Sequence, residues 1–255
     1  MTTTPKTRLY DVLVCAALAV AVLVYGTSAA ADEIRVLSSI GIRTVVEDLA
    51  PKFEKTTKHR VTTVFDLSGA LKTKIEGGEP FDVVIITPSL VDDLIAKGKV
   101  SPASKSIVAR TGLGLMIKAG AKKPDISTVD AFKRTLLGAR SITYASAGAS
   151  GVAFVATAKQ LGIADAIKTK PAATGDEVNA NILSGAADLA VLPISEILPV
   201  KGAELGGVFP TEVQTIVVMT AGVNANAKGT AAKDFVTFLM SPANNAVVKA
   251  KGMER

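Results

Sequence analysis

Phe81-Asp82-Val83-Val84-Ile85-Ile86 decides how this chain is read. Gly77-Gly78-Glu79-Pro80 breaks the chain just before it, and the run is apolar without alternation. That is the pattern of a strand buried on both faces of a parallel sheet, not of a half-exposed antiparallel one. A helix follows over 90–97 and is closed by Gly98. Upstream, 61–65 reads as a strand, and Ser68 is placed to cap a helix running to about Glu76. Further back lies a strand over 34–37. After it, Ile42, Val45, Val46, Leu49 and Phe53 recur at the spacing of an amphipathic helix. Strand–helix alternation of this kind predicts a parallel sheet with helices on both faces.

The alternation stops at 106–117, where Ile107-Val108 and the apolar piece 113–117 flank a glycine-containing step with no helix between them. It resumes with a helix capped by Ser127 or Thr128, a strand over 141–144, helices over 151–161 and 177–183, and a strand over 188–192. A second extended break over 213–222 precedes two tail helices, separated at Ser241-Pro242. Two breaks at the two ends of one set of elements predict an α/β fold of two Rossmann-like lobes joined by a double crossover. Lobe 1 comprises residues 32–112 plus 218–255, and lobe 2 comprises 113–217 with the hinge strands, the hinge lying near 112–120 and 213–223. Open α/β sheets bind ligands at the carboxyl ends of their strands, so the site is expected in the cleft between the lobes.

One such strand end is Thr143-Tyr144-Ala145-Ser146-Ala147-Gly148-Ala149-Ser150-Gly151. Its small residues let a ligand approach the backbone, and the helix that starts there points unpaired N–H groups and a positive dipole end into the loop. This is the equipment of an anion site built without charged residues.

The composition narrows the function. Lys6 and Arg8, an apolar run over 12–24 and Ala29-Ala30-Ala31 form an export leader, with cleavage expected after Ala31 and a periplasmic destination. The run is too short to span a bilayer comfortably. The rest of the chain holds 27 of the 29 basic residues and 22 of the 23 acidic ones, but none of the cysteine, since Cys15 lies in the leader. Stability beyond the leader must therefore come from core burial. With no Trp, one His (His59) and scattered basic pairs, the chain has neither the stacking platforms nor the basic stripe of a nucleic-acid binder. No cofactor and no directly bound metal are expected.

These fragments together resemble the type II periplasmic solute-binding proteins, and within them the molybdate-binding components of ABC transporters. The resemblance is carried by the first strand and its serine loop over 34–41, Phe65-Asp66-Leu67-Ser68-Gly69-Ala70-Leu71, and Gly78-Glu79-Pro80-Phe81-Asp82-Val83. Ala149-Ser150-Gly151-Val152, Gly185-Ala186-Ala187-Asp188-Leu189 and Ser195-Glu196 extend it across the chain. It implies a periplasmic-binding-protein fold holding a tetrahedral oxyanion by serine hydroxyls and backbone N–H groups, and a monomer that docks transiently on a membrane ABC permease. The second-loop serine of the family falls on Ser68, with Gly69 behind it. The helix-opening position falls on Ser150 and Gly151, and a later amide falls on about Val178. The first-loop serine position falls on Gly41 and a tyrosine position on Pro193, with Ser38 and Ser39 left to compensate. Those departures keep a small carboxylate open beside molybdate. A monoprotonated anion needs an acceptor in the cleft, and Asp66 is the residue to supply it.

Other roles fit less well. Gly148-Ala149-Ser150-Gly151-Val152 fails the last position of a nucleophile elbow, and no Ser-x-x-Lys occurs, so a serine hydrolase and enzymes generally are disfavoured. A sensory protein with the same cleft is the remaining alternative to transport.

Overall fold

The computed structural model describes residues 31–255; the basic and apolar parts of the expected leader lie outside the described residues. Residues Glu33–Arg255 form one compact unit. Among the described residues no helix is long and apolar enough to cross a membrane.

The first half of the sheet is built as the apolar runs require. Strand β1 (Glu33–Ser39) lies between β2 (Arg60–Asp66) and β3 (Val83–Ile86), all parallel, and the four residues of β3 are fully buried. Helices α1 (Arg43–Thr57), α2 (Ser68–Glu76) and α3 (Pro88–Ala96) follow these three strands in turn. Val45, Val46, Leu49 and Phe53 of α1 face one side of the sheet, and Leu71, Ile75, Val91 and Leu94 of α2 and α3 cover the other. Burying a side chain such as Phe53 contributes about 1.5–3 kcal/mol.

The expected pair of short strands around residue 110 is one continuous strand, β4 (Ser106–Lys118). Its first part pairs antiparallel with β9 (Ile216–Val223), which itself runs antiparallel to β3. From Leu113 onward it pairs instead with β7 (Leu189–Pro193) and β8 (Ala203–Val208). The chain thus passes from one half-sheet to the other at Gly112-Leu113 without leaving extended geometry. Gln214 makes this possible: its side chain accepts the N–H of Leu113 at 2.7 Å and donates to the Leu113 carbonyl at 3.1 Å, replacing a strand partner. Gly112 leaves room for these bonds, because a Cβ there would stand 2.9 Å from Gln214 Nε2 and push the amide aside.

The second half-sheet adds β5 (Ile142–Ala145) and β6 (Thr169–Ala172), parallel to each other, with β5 also parallel to β7. Neither β6 nor β8 is anticipated by the sequence pattern: β6 is exposed over three of its four residues and holds Pro171, and β8 contains Gly206-Gly207. Helices α4 (Val129–Gly138), α5 (Ala149–Gln160), α6 (Gly175–Leu183) and the one-turn α7 (Ile194–Ile197) belong to this half. Helices α8 (Ala231–Met240) and α9 (Asn245–Ala250) return to the first half, where Phe235 meets Phe53 edge-on at 5.2 Å.

Candidate functional site

Both half-sheets line one cavity of about 20 Å³. The first half supplies Ser39 and Ile40 after β1, Leu67 and Ser68 after β2, and Val217 and Met219 of β9. The second supplies Gly148, Ala149 and Ser150 after β5, and Pro193 and Glu196 at the end of β7. The loops come from the carboxyl ends of β1, β2, β5 and β7, where an open α/β sheet places its ligands.

The serines differ in what they already do. Ser39 is 5% exposed, and its hydroxyl accepts the Gly41 N–H at 3.3 Å, capping a single turn over Ile40–Ile42. Ser68 does not cap α2, contrary to the expectation from sequence. Leu67 holds the cap position in extended geometry, without a side-chain bond, and Ser68 is the first helical residue. Ser150 is likewise inside α5, behind an uncapped Gly148, and is 3% exposed. Neither hydroxyl engages a described residue in a hydrogen bond that would explain its position. The first intrahelical donors are Leu71 N–H in α2 and Val152 N–H in α5, so the amides before them stay free at each helix start. A cavity that receives free hydroxyls, free amides and two positive helix ends is suited to an anion.

Glu196, which the sequence offers only as part of a resembling fragment, is the site member that sequence reasoning missed. It sits in α7 with its carboxyl between two glycines: a Cβ on Gly41 would lie 3.3 Å from Oε1, and one on Gly175 would lie 3.8 Å from Oε2. Part of the side chain faces the cavity, yet the surrounding protein is dense. Burial pushes the carboxyl up to about 7, against the opposing pull of Arg43. The neighbouring Ser195 donates to the Gly41 carbonyl at 2.8 Å, a buried bond that ties the second half to the first. These contacts explain Gly41 itself. A side chain there would meet Met219 Cε at 2.5 Å, so the family serine would need the end of the Met219 side chain to move aside.

The other expected residues are placed elsewhere. Ser38 is fully buried and donates to the Ser39 carbonyl at 3.3 Å. Gly69 is exposed on α2, and a Cβ added there would meet nothing within 4 Å. Gly151 faces Ala145 across the start of α5. Val178 is buried beside Ile182 and Leu192, and its amide is already paired with the Thr174 carbonyl at 3.2 Å. None of these four lines the cavity. Pro193 does, at the position where the resemblance expects tyrosine. Asp66 does not. It accepts from Lys74 and from the Leu67 N–H, both at 2.8 Å. Burial alone would raise its pKa, but those bonds and the Lys74 charge lower it on balance. Asp66 is therefore committed outside the cavity. Among the described residues, no cluster of three or more His, Cys, Asp or Glu side chains is arranged to hold a metal ion.

Comparison with known proteins fits this geometry. The family described as bacterial extracellular solute-binding protein matches residues 34–254. Aconitate isomerase of a Pseudomonas species is 29% identical over 239 residues, 86% of each chain. The molybdate-binding protein ModA of Azotobacter vinelandii is 25% identical, covering 88% of this chain and 91% of that one. Among solved structures, the periplasmic molybdate-binding protein of Azotobacter vinelandii aligns with a TM-score of 0.73 at 22% identity, over 87% of this chain and 99% of that one. The sulfate-binding protein SubI of Mycobacterium tuberculosis aligns with a TM-score of 0.70 at 17% identity, over 87% and 86%. These likenesses establish the type II periplasmic-binding fold.

Proposed function

This chain belongs to the bacterial extracellular solute-binding protein family, and on that footing we propose that it captures a small oxyanion or carboxylate between its half-sheets and hands it to an ABC permease. The supporting observation is the convergence of Ser39, Ser68 and Ser150 from both halves on one cavity, the last two free of capping duty. The cavity's roughly 20 Å³ is close to the space of one water-sized group. A polyatomic anion therefore enters with the halves further apart, and they close about the two crossings at Gly112-Leu113 and Gln214. The export leader over residues 1–31 belongs to the same reading, with delivery to the periplasm.

A thermal-shift screen of the chain lacking residues 1–31, against molybdate, sulfate, phosphate, aconitate and short carboxylates, tests it. A true ligand at a hundred times its dissociation constant adds about 2.7 kcal/mol of stability. For a domain of this size that is a rise of roughly 5–10 °C. No stabilising anion in the panel overturns the reading.

A second reading is favoured by Glu196 together with the aconitate isomerase relative. Interconverting isomers of an unsaturated carboxylate by moving its double bond asks one group to take a proton from one carbon and return it to another. A carboxyl near neutrality beside anion donors is equipped for that. Incubating the protein with aconitate in deuterated water and following carbon-bound deuterium by NMR tests this reading. Absence of exchange over a day leaves capture as the function.

A further inference from the structure

Glu196 is the cavity group that the serines do not account for. Its carboxyl lies beside the cavity wall formed by Ser39, Ser68 and Ser150, between Gly41 and Gly175, and no described residue hydrogen-bonds to it. The charged group that acts on it is Arg43, at the start of α1. The other elements around it bring no titratable side chain to the cavity: the turn over Ile40–Ile42 and β9 present Ile40, Val217 and Met219. At the start of α6, Asp176 is exposed, and Glu177 is turned back to accept the Ala173 N–H at 2.8 Å.

An ionised carboxylate in that place opposes any anion held by the serines, because like charges at close range in a poorly solvated site repel. The neutral acid does the reverse, since it adds an O–H donor to a set already made of hydroxyls and amides. We propose that Glu196 is the specificity-determining residue of the cleft: it enters the complex as the neutral acid and donates a hydrogen bond to the anion, so that anion and proton are captured together. The inference rests on reading the cleft as an anion site. The cleft takes anions that offer an acceptor oxygen to the Glu196 O–H; an anion that turns an O–H toward it pairs only with the acid's carbonyl oxygen and forgoes that donor.

The sign of the pH dependence follows. With the free carboxyl raised to about 7, the acid form is already present at pH 5.5, and binding there takes up almost no proton. Above about 7 the carboxylate must be protonated on binding, so affinity falls about tenfold per pH unit and proton uptake approaches one. An acceptor role would give the opposite slope.

Isothermal titration calorimetry with molybdate, sulfate and aconitate, from pH 5.5 to 8.5 in paired buffers of different ionisation enthalpy, counts the protons. The expected result for the anions that bind is weakening by more than tenfold between pH 6.5 and 8.5, with close to one proton taken up at pH 8.5. E196Q, which keeps a donor but cannot ionise, is expected to bind within a few-fold of the wild-type pH 5.5 value throughout and to take up none. A flat profile, a reversed slope, or an E196Q variant that keeps the wild-type slope overturns the proposal while leaving the anion site standing. The wild-type proton count decides the matter even if E196Q folds poorly. If none of the three anions binds at any pH, the anion-site reading falls and takes the proposal with it.

Discussion

Ser68-Gly69 and Ser150-Gly151 are the same dipeptide at the start of two helices, one in each half-sheet, and both serines line the cavity. Their glycines live in different surroundings. A Cβ on Gly69 meets nothing within 4 Å, whereas one on Gly151 would stand 2.0 Å from the Ala145 carbonyl oxygen and 3.0 Å from the Tyr144 ring. The first turn leaves its glycine facing open space. The second is held by close backbone contact between α5 and the end of β5, and this seats Ser150 at 3% exposure. The contrast teaches that the bare second loop owes its smallness at Gly151 to packing, while the serine before it is the residue that lines the cavity.

The largest effect should come from attacking that packing. Gly151→Ala forces the start of α5 away from Ala145, and overpacking of this kind costs about 1–3 kcal/mol or more. The melting temperature of the ligand-free protein should fall by roughly 2–12 °C, and anion affinity should fall with it because Ser150 moves. An unchanged melting temperature would mean that the two turns are equivalent after all.

Ser150→Ala should come next, followed by Ser68→Ala. Each removes a hydrogen bond to a charged ligand, worth about 1.5–3 kcal/mol, or roughly tenfold to a hundredfold in dissociation constant. The loss should be greater for Ser150, which is the more buried of the two. The stability of the free protein separates this role from capping. Loss of a helix cap costs about 1 kcal/mol, so a drop of that size without ligand would return either serine to a structural role.

Gly69→Ala should have the smallest effect, and the opposite sign. An exposed helical glycine with open space around it gains about 0.5–1 kcal/mol on replacement by alanine. Its melting temperature should rise by a few degrees with affinity unchanged. Loss of affinity in this variant would show that the ligand approaches the α2 backbone more closely than the cavity walls indicate.

Much of the fold was legible because its signals are local. The unbroken apolar run through Val83–Ile86, the helical spacing of Val45, Val46, Leu49 and Phe53, and Thr128 as a cap accepting the Ala131 N–H each depend on a few neighbouring residues. The elements that escaped lack those signals. Strand β8 is glycine-rich, β6 is a short exposed strand with a proline, and α7 is too brief to show a period. Strand β4 reads as two pieces because the residue that keeps it extended through Gly112 is Gln214, about a hundred positions away.

The site divides along the same line. Sequence by itself determined that Ser39, Ser68 and Ser150 stand where strands turn into helices, since strand ends and helix starts are written in short-range pattern. Only the tertiary structure decided that these three meet, that Val178 and Gly69 stay outside, and that Gly41 lies against the Met219 side chain. It also decided the state of Glu196. A carboxyl's pKa depends on how much water and which charges surround it, and here that environment is assembled from Gly41, Arg43, Gly175 and Met219, each at least about twenty positions from Glu196 in the chain and brought to it only by the fold.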